Sequence, residues 1–207
     1  MKFTAEHTDT LLELMKWRRD VRHFRQDPVP PETLAFLKQA VDLAPSVGNS
    51  RPWRFVEVAS PEIRARVIAN FESSNQAASQ GYDPQRQAEY LQLKLAGLRE
   101  APVHLAVFTD LSPREGDGLG RQTMPETLTY STITAIHQLW LVARTMNLGV
   151  GWVSILDTTD MNALIGVDPD WVFTAYLCVG YPTQEYDTPE LQRRGWQENI
   201  SREWLTR

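Results

Sequence analysis

The sequence predicts one domain of the α+β class, with a central mixed sheet flanked by helices. Apolar residues recur at helical spacing in some segments and at strand spacing in others, without the strict alternation of a doubly wound fold. One segment, at about residues 127–147, is apolar nearly all round, which is typical of a buried central helix. With 207 residues and 42% hydrophobic side chains, a single domain can bury roughly 70% of its unfolded surface. We therefore expect one domain over residues 1–207.

The first third of the chain predicts two helices and a strand. A short helix is expected over about residues 8–17, with Thr10 and Glu13 matching a weak capping box. The segment PPETLAFLKQAVDLA starts with prolines suited to a first helical turn, and Pro45 ends it. The following WRFVEVA, residues 53–59, is typical of a strand.

The remaining elements follow from the same two spacings. Ser60 and Pro61 make a good helix start, and the polar segment SSNQAASQGYD is expected to separate that helix from another one ending near Arg99. The later predicted elements are a strand over 103–110, a loop over about 110–126, the central helix, a strand in GVGWVSIL, a short helix in TTDMNALIG, a strand in WVFTAYLCVGYP and an extended tail over 181–207.

Composition excludes several classes of protein. A net charge of −5 argues against binding a nucleic-acid backbone. There is no apolar run of about 18 residues, and the first ten residues lack a signal-peptide core, so we expect a cytoplasmic protein with no membrane span. The single Cys178 lies in an apolar run and is expected to be a buried small side chain. The four histidines lack metal-ligand spacing, so no metal is expected.

Three polar motifs have ordinary structural interpretations. GDGLGR has G-x-G-x-G spacing rather than a dinucleotide fingerprint, and it favours a mobile surface loop. Ser154 lacks the G-x-S-x-G turn of an exposed nucleophile, which favours a strand serine. APSVGNSRPW, residues 44–53, predicts a rigid turn and is equally compatible with a connector or a binding loop.

The stretch RRDVRHF places three arginines around Asp20. Arginines at a helix C-terminus usually complement the helix dipole and lie in water. Three guanidinium groups are also a suitable clamp for phosphate, because each offers planar paired donors. A carboxylate repels phosphate, so Asp20 should have another target or be held by an arginine.

Taken together, RRDVRHF, APSVGNSRPWRFV, the long central helix, GVGWVSI and VGYP resemble the nitroreductase-like flavoprotein superfamily. Each motif is loose, but their order spans about residues 14–200. The resemblance implies a nitroreductase-like homodimer with FMN at the subunit interface. Members that act as nitroreductases generally carry serine where this chain has Asp20.

The resemblance also assigns site residues. Arg18, Arg19 and Arg22 would hold the FMN phosphate and the pyrimidine edge of the flavin, and the loop over about 110–126 would be a lid. Ser46 would approach the flavin from the other subunit. The further FMN-binding residues that it implies are Asp20, Lys94, Gly151, Trp152, Ser154 and Arg194.

Within the superfamily the motifs are most similar to a branch in which FMN is consumed. The resemblance implies that reduced FMN reacts with dioxygen and is fragmented to 5,6-dimethylbenzimidazole and erythrose 4-phosphate, for the lower ligand of vitamin B12. Asp20 is the candidate proton-transfer group, and Ser154 is the second catalytic candidate, able to hydrogen-bond near the reactive centre of the flavin ring. NAD(P)H is expected only as an upstream reductant, through a separate flavin reductase.

Two alternatives stay open from the sequence. One is a nitroreductase or NAD(P)H oxidoreductase that retains its flavin, and the other is a non-catalytic FMN-binding module. Arg51 stands where the superfamily usually has glutamine, and Asn199 stands where a basic tail residue is expected.

Overall fold

A four-stranded antiparallel sheet forms the centre of the computed structural model, which describes residues 1–92 and 97–207. The spatial order of the strands is β1-β2-β4-β3, and all three pairings between them are antiparallel. The α+β prediction is confirmed, but the mixed sheet is not: the one parallel pairing between described residues is an isolated bridge from Asp20 to Val150. The strands are β1 Trp53–Glu57, β2 Val103–Asp110, β3 Gly149–Val153 and β4 Trp171–Gly180.

Helices cover both faces of this sheet. The longest of the apolar ones, α6, runs from Thr127 to Thr145 and buries Ala135, Ile136 and Ala143 completely, as its pattern predicts for a central helix. The helices are α1 Ala5–Trp17, α2 Pro31–Asp42, α3 Pro61–Ser79, α4 Pro84–Gln92, α5 Gly97–Glu100, α6 Thr127–Thr145, α7 Met161–Ile165 and α8 Glu190–Arg193, with short 3-10 turns at Val47–Asn49 and Glu115–Gly118.

The core lies in two layers because alternate strand residues point to opposite faces of the sheet. In β2, Val107 packs towards α2 and α6, whereas Phe108 packs towards α3 and α7. In β4 the same alternation places Leu177 in the first layer and Cys178 in the second. Burial raises the pKa of the Cys178 thiol to about 12, so the cysteine is a neutral, buried side chain as expected.

Two predicted helix boundaries are wrong. α1 begins at Ala5 rather than near residue 8, because Thr4 and His7 form the capping box that was assigned to Thr10 and Glu13. α3 continues to Ser79 and takes in most of the polar segment that was expected to separate two helices, since no helix breaker precedes Gly81.

The C-terminal segment is less extended than predicted. It contains the short helix α8, and Trp196 then packs on Tyr82 of the α3–α4 connection, with ring centroids 5.9 Å apart. Across the described ranges, no helix combines the length and the apolar character needed to cross a membrane.

Candidate functional site

The arginine-rich segment leaves α1 and runs alongside β3. The Val21 N–H donates a 3.1 Å hydrogen bond to the Val150 carbonyl, next to the Asp20–Val150 bridge. This approach depends on Gly151: a Cβ atom there would lie 2.2 Å from the Val21 carbonyl oxygen. Gly151, which the resemblance assigns to FMN binding, therefore also has a packing role. Its missing side chain lets the segment that carries Asp20 lie against the strand.

Asp20 is fixed through one of its two carboxylate oxygens. Its Oδ1 accepts a 2.8 Å hydrogen bond from the Trp152 N–H, while its Oδ2 lies 3.6 Å from Nε of Arg22. Burial raises the pKa of Asp20, and the Trp152 N–H and the Arg22 charge oppose that rise only in part. The Asp20 side chain is 37% exposed and lines a cleft, so a ligand bound there would contact it.

The three arginines of the segment have unmet capacity for hydrogen bonds. Arg18 places its guanidinium 4.8 Å from the ring centre of Trp140. The Nε atoms of Arg19 and Arg22 are buried and have no hydrogen-bond partner in the part of the chain that the structure describes. Leaving a buried donor unpaired costs roughly 1–3 kcal/mol, more when it is charged, so an anionic ligand would be stabilised here.

These residues line one open cleft. Its walls come from residues 17–23, the C-terminal half of α6 and the segment 182–194. A smaller recess lies between the arginine-rich segment and β3. Asp20 and Arg22 line both spaces, whereas Gly151 and Trp152 line only the smaller one.

The tail contributes one arginine that was predicted and one carboxylate that was not. Arg194 lines the cleft, and its Nε donates a 2.7 Å hydrogen bond to Glu190. The other oxygen of Glu190 lies 3.6 Å from Nε of Arg22. The sequence offers little signal for this, because an acidic residue after Pro189 reads as an ordinary helix start.

Three predicted site residues do not join this cluster within one chain. Ser46 accepts a 3.0 Å hydrogen bond from the Arg51 N–H in the turn after α2 and lines neither space. Ser154 is exposed and lies just past the end of β3, so its interpretation as a strand serine is wrong. Lys94 lies outside the described residues.

Sequence comparisons identify relatives of almost the same length. The Nitroreductase family model matches residues 15–181. A protein of Rhodobacter capsulatus named 5,6-dimethylbenzimidazole synthase is 50% identical over 207 residues, which is the whole of both chains. A protein of Rhodospirillum rubrum with the same name is 53% identical over 195 residues, covering 94% of this chain and 92% of that one.

Solved structures share the fold at lower identity. Oxidized iodotyrosine deiodinase bound to FMN and 3-iodo-L-tyrosine superposes with a TM-score of 0.73 at 22% identity, covering 95% of this chain and 97% of that one. A nitroreductase family protein from Streptococcus pneumoniae TIGR4 gives a TM-score of 0.60 at 19% identity, covering 95% of each chain. The sheet, the helices on both of its faces and the match over residues 15–181 agree: the chain belongs to the nitroreductase family.

Proposed function

We propose that this protein catalyses the oxygen-dependent fragmentation of reduced FMN to 5,6-dimethylbenzimidazole and erythrose 4-phosphate, for the lower ligand of vitamin B12. The observation that carries the proposal is Asp20, a carboxylate held inside an arginine cluster that lines an open cleft. The relatives named 5,6-dimethylbenzimidazole synthase, at 50% and 53% identity over nearly full length, support the same reaction.

The arginine cluster fits a flavin nucleotide. The buried, unpaired Nε atoms of Arg19 and Arg22 are donors that a phosphate or an anionic ring edge would satisfy. Arg18 and Arg194 line the same cleft, as do Arg144 and Arg193, so six guanidinium groups border it among the described residues. Bound there, reduced FMN supplies the electrons for dioxygen and the carbon atoms of the product, and the cations stabilise its negative charge.

Asp20 is the group that accepts a proton in this proposal. The Trp152 N–H holds Oδ1 in place, which leaves Oδ2 to accept the proton from the ribityl carbon that the product retains. Because burial raises the pKa of Asp20, its carboxylate is a stronger base than one in water. The positive charge of Arg22, whose Nε lies 3.6 Å from that oxygen, partly neutralises the negative charge of the carboxylate.

A second copy of the chain would complete the site. α1 buries none of its residues and exposes the apolar side chains of Leu11, Leu12 and Met15, which favours a homodimer. In that dimer Ser46 would reach the flavin across the interface, and Ser154 would hydrogen-bond near the reactive centre of the ring. We also propose that residues 1–207 act as one domain, in which the loop over about 110–126 excludes water as a lid. A separate flavin reductase that uses NAD(P)H would supply the reduced FMN.

The substitution Asp20→Asn tests the proposed chemistry. Asparagine keeps an oxygen for the Trp152 N–H but cannot accept the proton, so we expect 5,6-dimethylbenzimidazole production from reduced FMN in air to fall by about 100-fold or more. Product is measured by chromatography with mass detection, and FMN binding is measured separately by flavin fluorescence.

Asp27→Asn is the matched control, since Asp27 is an exposed carboxylate paired only with Arg25 at 3.4 Å among the described residues. It should leave product formation unchanged. Full product formation by an Asp20→Asn protein that binds FMN would contradict the role of Asp20.

A further inference from the structure

We propose that the Glu190 carboxylate occupies the arginine cluster when no ligand is bound, and that the phosphate of a flavin nucleotide must displace it in order to bind. This inference rests on the proposed function, because it takes FMN as the ligand. It assigns to Glu190 a role in setting affinity: the residue weakens binding of phosphate-bearing flavins and leaves binding of the flavin ring unaffected.

The geometry of Glu190 matches that of a bound anion. One carboxylate oxygen accepts a 2.7 Å hydrogen bond from Arg194, and the other lies 3.6 Å from Nε of Arg22. Only 14% of the Glu190 side chain and 13% of the Arg22 side chain are exposed. The carboxylate is hydrogen-bonded to Arg194 and ion-paired with Arg22, so it lies beside two of the guanidinium groups that a phosphate would need, and the Nε donor of Arg22 is still unpaired.

The backbone around α8 is held at both ends. Before the helix, the Thr183 N–H donates a 3.1 Å hydrogen bond to the His23 carbonyl. After the helix, the Trp196 ring lies 3.5 Å from the Arg86 guanidinium, and its carbonyl accepts a 3.0 Å hydrogen bond from Arg86. The exchange therefore needs only a rotation of the Glu190 side chain, with the tail remaining in place.

The difference in charge favours phosphate over the Glu190 carboxylate at the arginine cluster. A phosphate monoester carries close to two negative charges near neutral pH and three acceptor oxygens, whereas Glu190 carries one charge. The displaced carboxylate stays near the phosphate because the backbone of α8 is anchored. Between the two charges of the phosphate and one like charge about 4 Å away, the repulsion in surroundings close to water weakens binding by about 30-fold. Riboflavin lacks the phosphate, so its binding does not require displacement of the Glu190 carboxylate.

The test compares two flavins with Glu190→Gln. Flavin-free protein is titrated with FMN and with riboflavin by fluorescence, and with inorganic phosphate by calorimetry. We expect the dissociation constants for FMN and for phosphate to fall by about 30-fold in Glu190→Gln, and the constant for riboflavin to stay unchanged. Asp187→Asn is the control, because it removes a carboxylate from the same tail segment that pairs with exposed Lys16.

Each result separates the two proposals. Weaker FMN binding by Glu190→Gln, or a change no larger than that of Asp187→Asn, would overturn the role of Glu190. If no variant binds FMN or riboflavin, the proposed function fails, and the phosphate titration still tests Glu190 because phosphate needs only the arginines. Glu190→Ala is measured in parallel, with circular dichroism as the check on folding, so that a misfolded glutamine variant does not decide the outcome.

Discussion

His104 is buried beside the hydroxyl of Tyr176, and it makes the stability of this protein depend on pH. Its Nδ1 lies 3.0 Å from the Tyr176 hydroxyl oxygen, and burial lowers the pKa of His104 from 6.5 to about 4. The unfolded chain binds a proton near pH 6.5, whereas the folded chain does not until about pH 4. The unfolded state therefore binds more protons in this window, and the free energy of unfolding falls as the pH is lowered through it.

The expected loss from His104 is about 3 kcal/mol between about pH 7 and about pH 4. Urea unfolding at several pH values measures it as the difference between the wild type and His104→Gln, which should lose stability less steeply on acidification. His137→Gln, at an exposed position of α6, should follow the wild type. Parallel pH profiles for His104→Gln and the wild type would show that His104 is not the titrating group.

At the residue scale, the sequence could predict the cluster but not all of its members. Three arginines around Asp20 are adjacent in the chain, so their proximity is visible without a fold. Glu190 reaches Arg22 only because the tail folds back on the segment after α1, and no local pattern signals that return. The interpretation of Ser154 failed because β3 ends one residue earlier, at Val153.

At the scale of elements, the seam between β3 and the arginine-rich segment depends on Gly151. Gly151→Ala would place a methyl group 2.2 Å from the Val21 carbonyl oxygen, and neither backbone can yield without breaking strand pairing. We expect the free energy of unfolding to fall by about 3 kcal/mol or more, measured by urea denaturation.

Gly81→Ala is the matched control for that substitution. A Cβ atom at Gly81 would lie 3.5 Å from its nearest neighbour, the Ala78 carbonyl oxygen, so the change should alter stability by no more than about 0.5 kcal/mol. Wild-type stability in Gly151→Ala would mean that the seam is looser than the geometry indicates.

One strand was predicted with its correct bounds. The β2 strand, Val103–Asp110, matches its prediction residue for residue, because its apolar run is bounded by Pro102 and a polar loop. Two other boundaries were missed. α1 begins earlier than predicted because Thr4 and His7 cap it, and α3 continues through its polar second half because no helix-breaking residue stops it.

At the scale of the whole molecule, the proposed homodimer predicts the effect of a charge on α1. Leu12 is 59% exposed and belongs to the apolar face that α1 leaves uncovered. Leu12→Glu should weaken self-association by about 30-fold or more, since burying a leucine contributes about 2 kcal/mol. Sedimentation velocity over a range of protein concentrations measures the shift towards monomer.

Thr10→Glu adds the same charge to the opposite side of α1 and should leave the association constant unchanged. Equal sedimentation of the wild type and Leu12→Glu as dimers would place the interface elsewhere. Equal sedimentation of both as monomers would contradict the homodimer itself.

The fold class could be predicted from the sequence because helix and strand spacings are both strong and do not alternate strictly. The antiparallel character of the sheet could not, since strand order depends on how α6 and α7 return the chain to the sheet. The cleft likewise depends on contacts between distant parts of the chain, from the segment after α1 to the tail.

In the proposed reaction the flavin itself is consumed. The most direct measurement is to load the protein with FMN, reduce it without oxygen, admit air, and follow both the yellow absorbance of oxidised flavin and the appearance of benzimidazole. The proposed function predicts that the yellow absorbance does not return and that 5,6-dimethylbenzimidazole appears in an amount matching the flavin lost. Full return of the flavin absorbance with no benzimidazole would contradict it and identify an enzyme or binding module that retains its flavin.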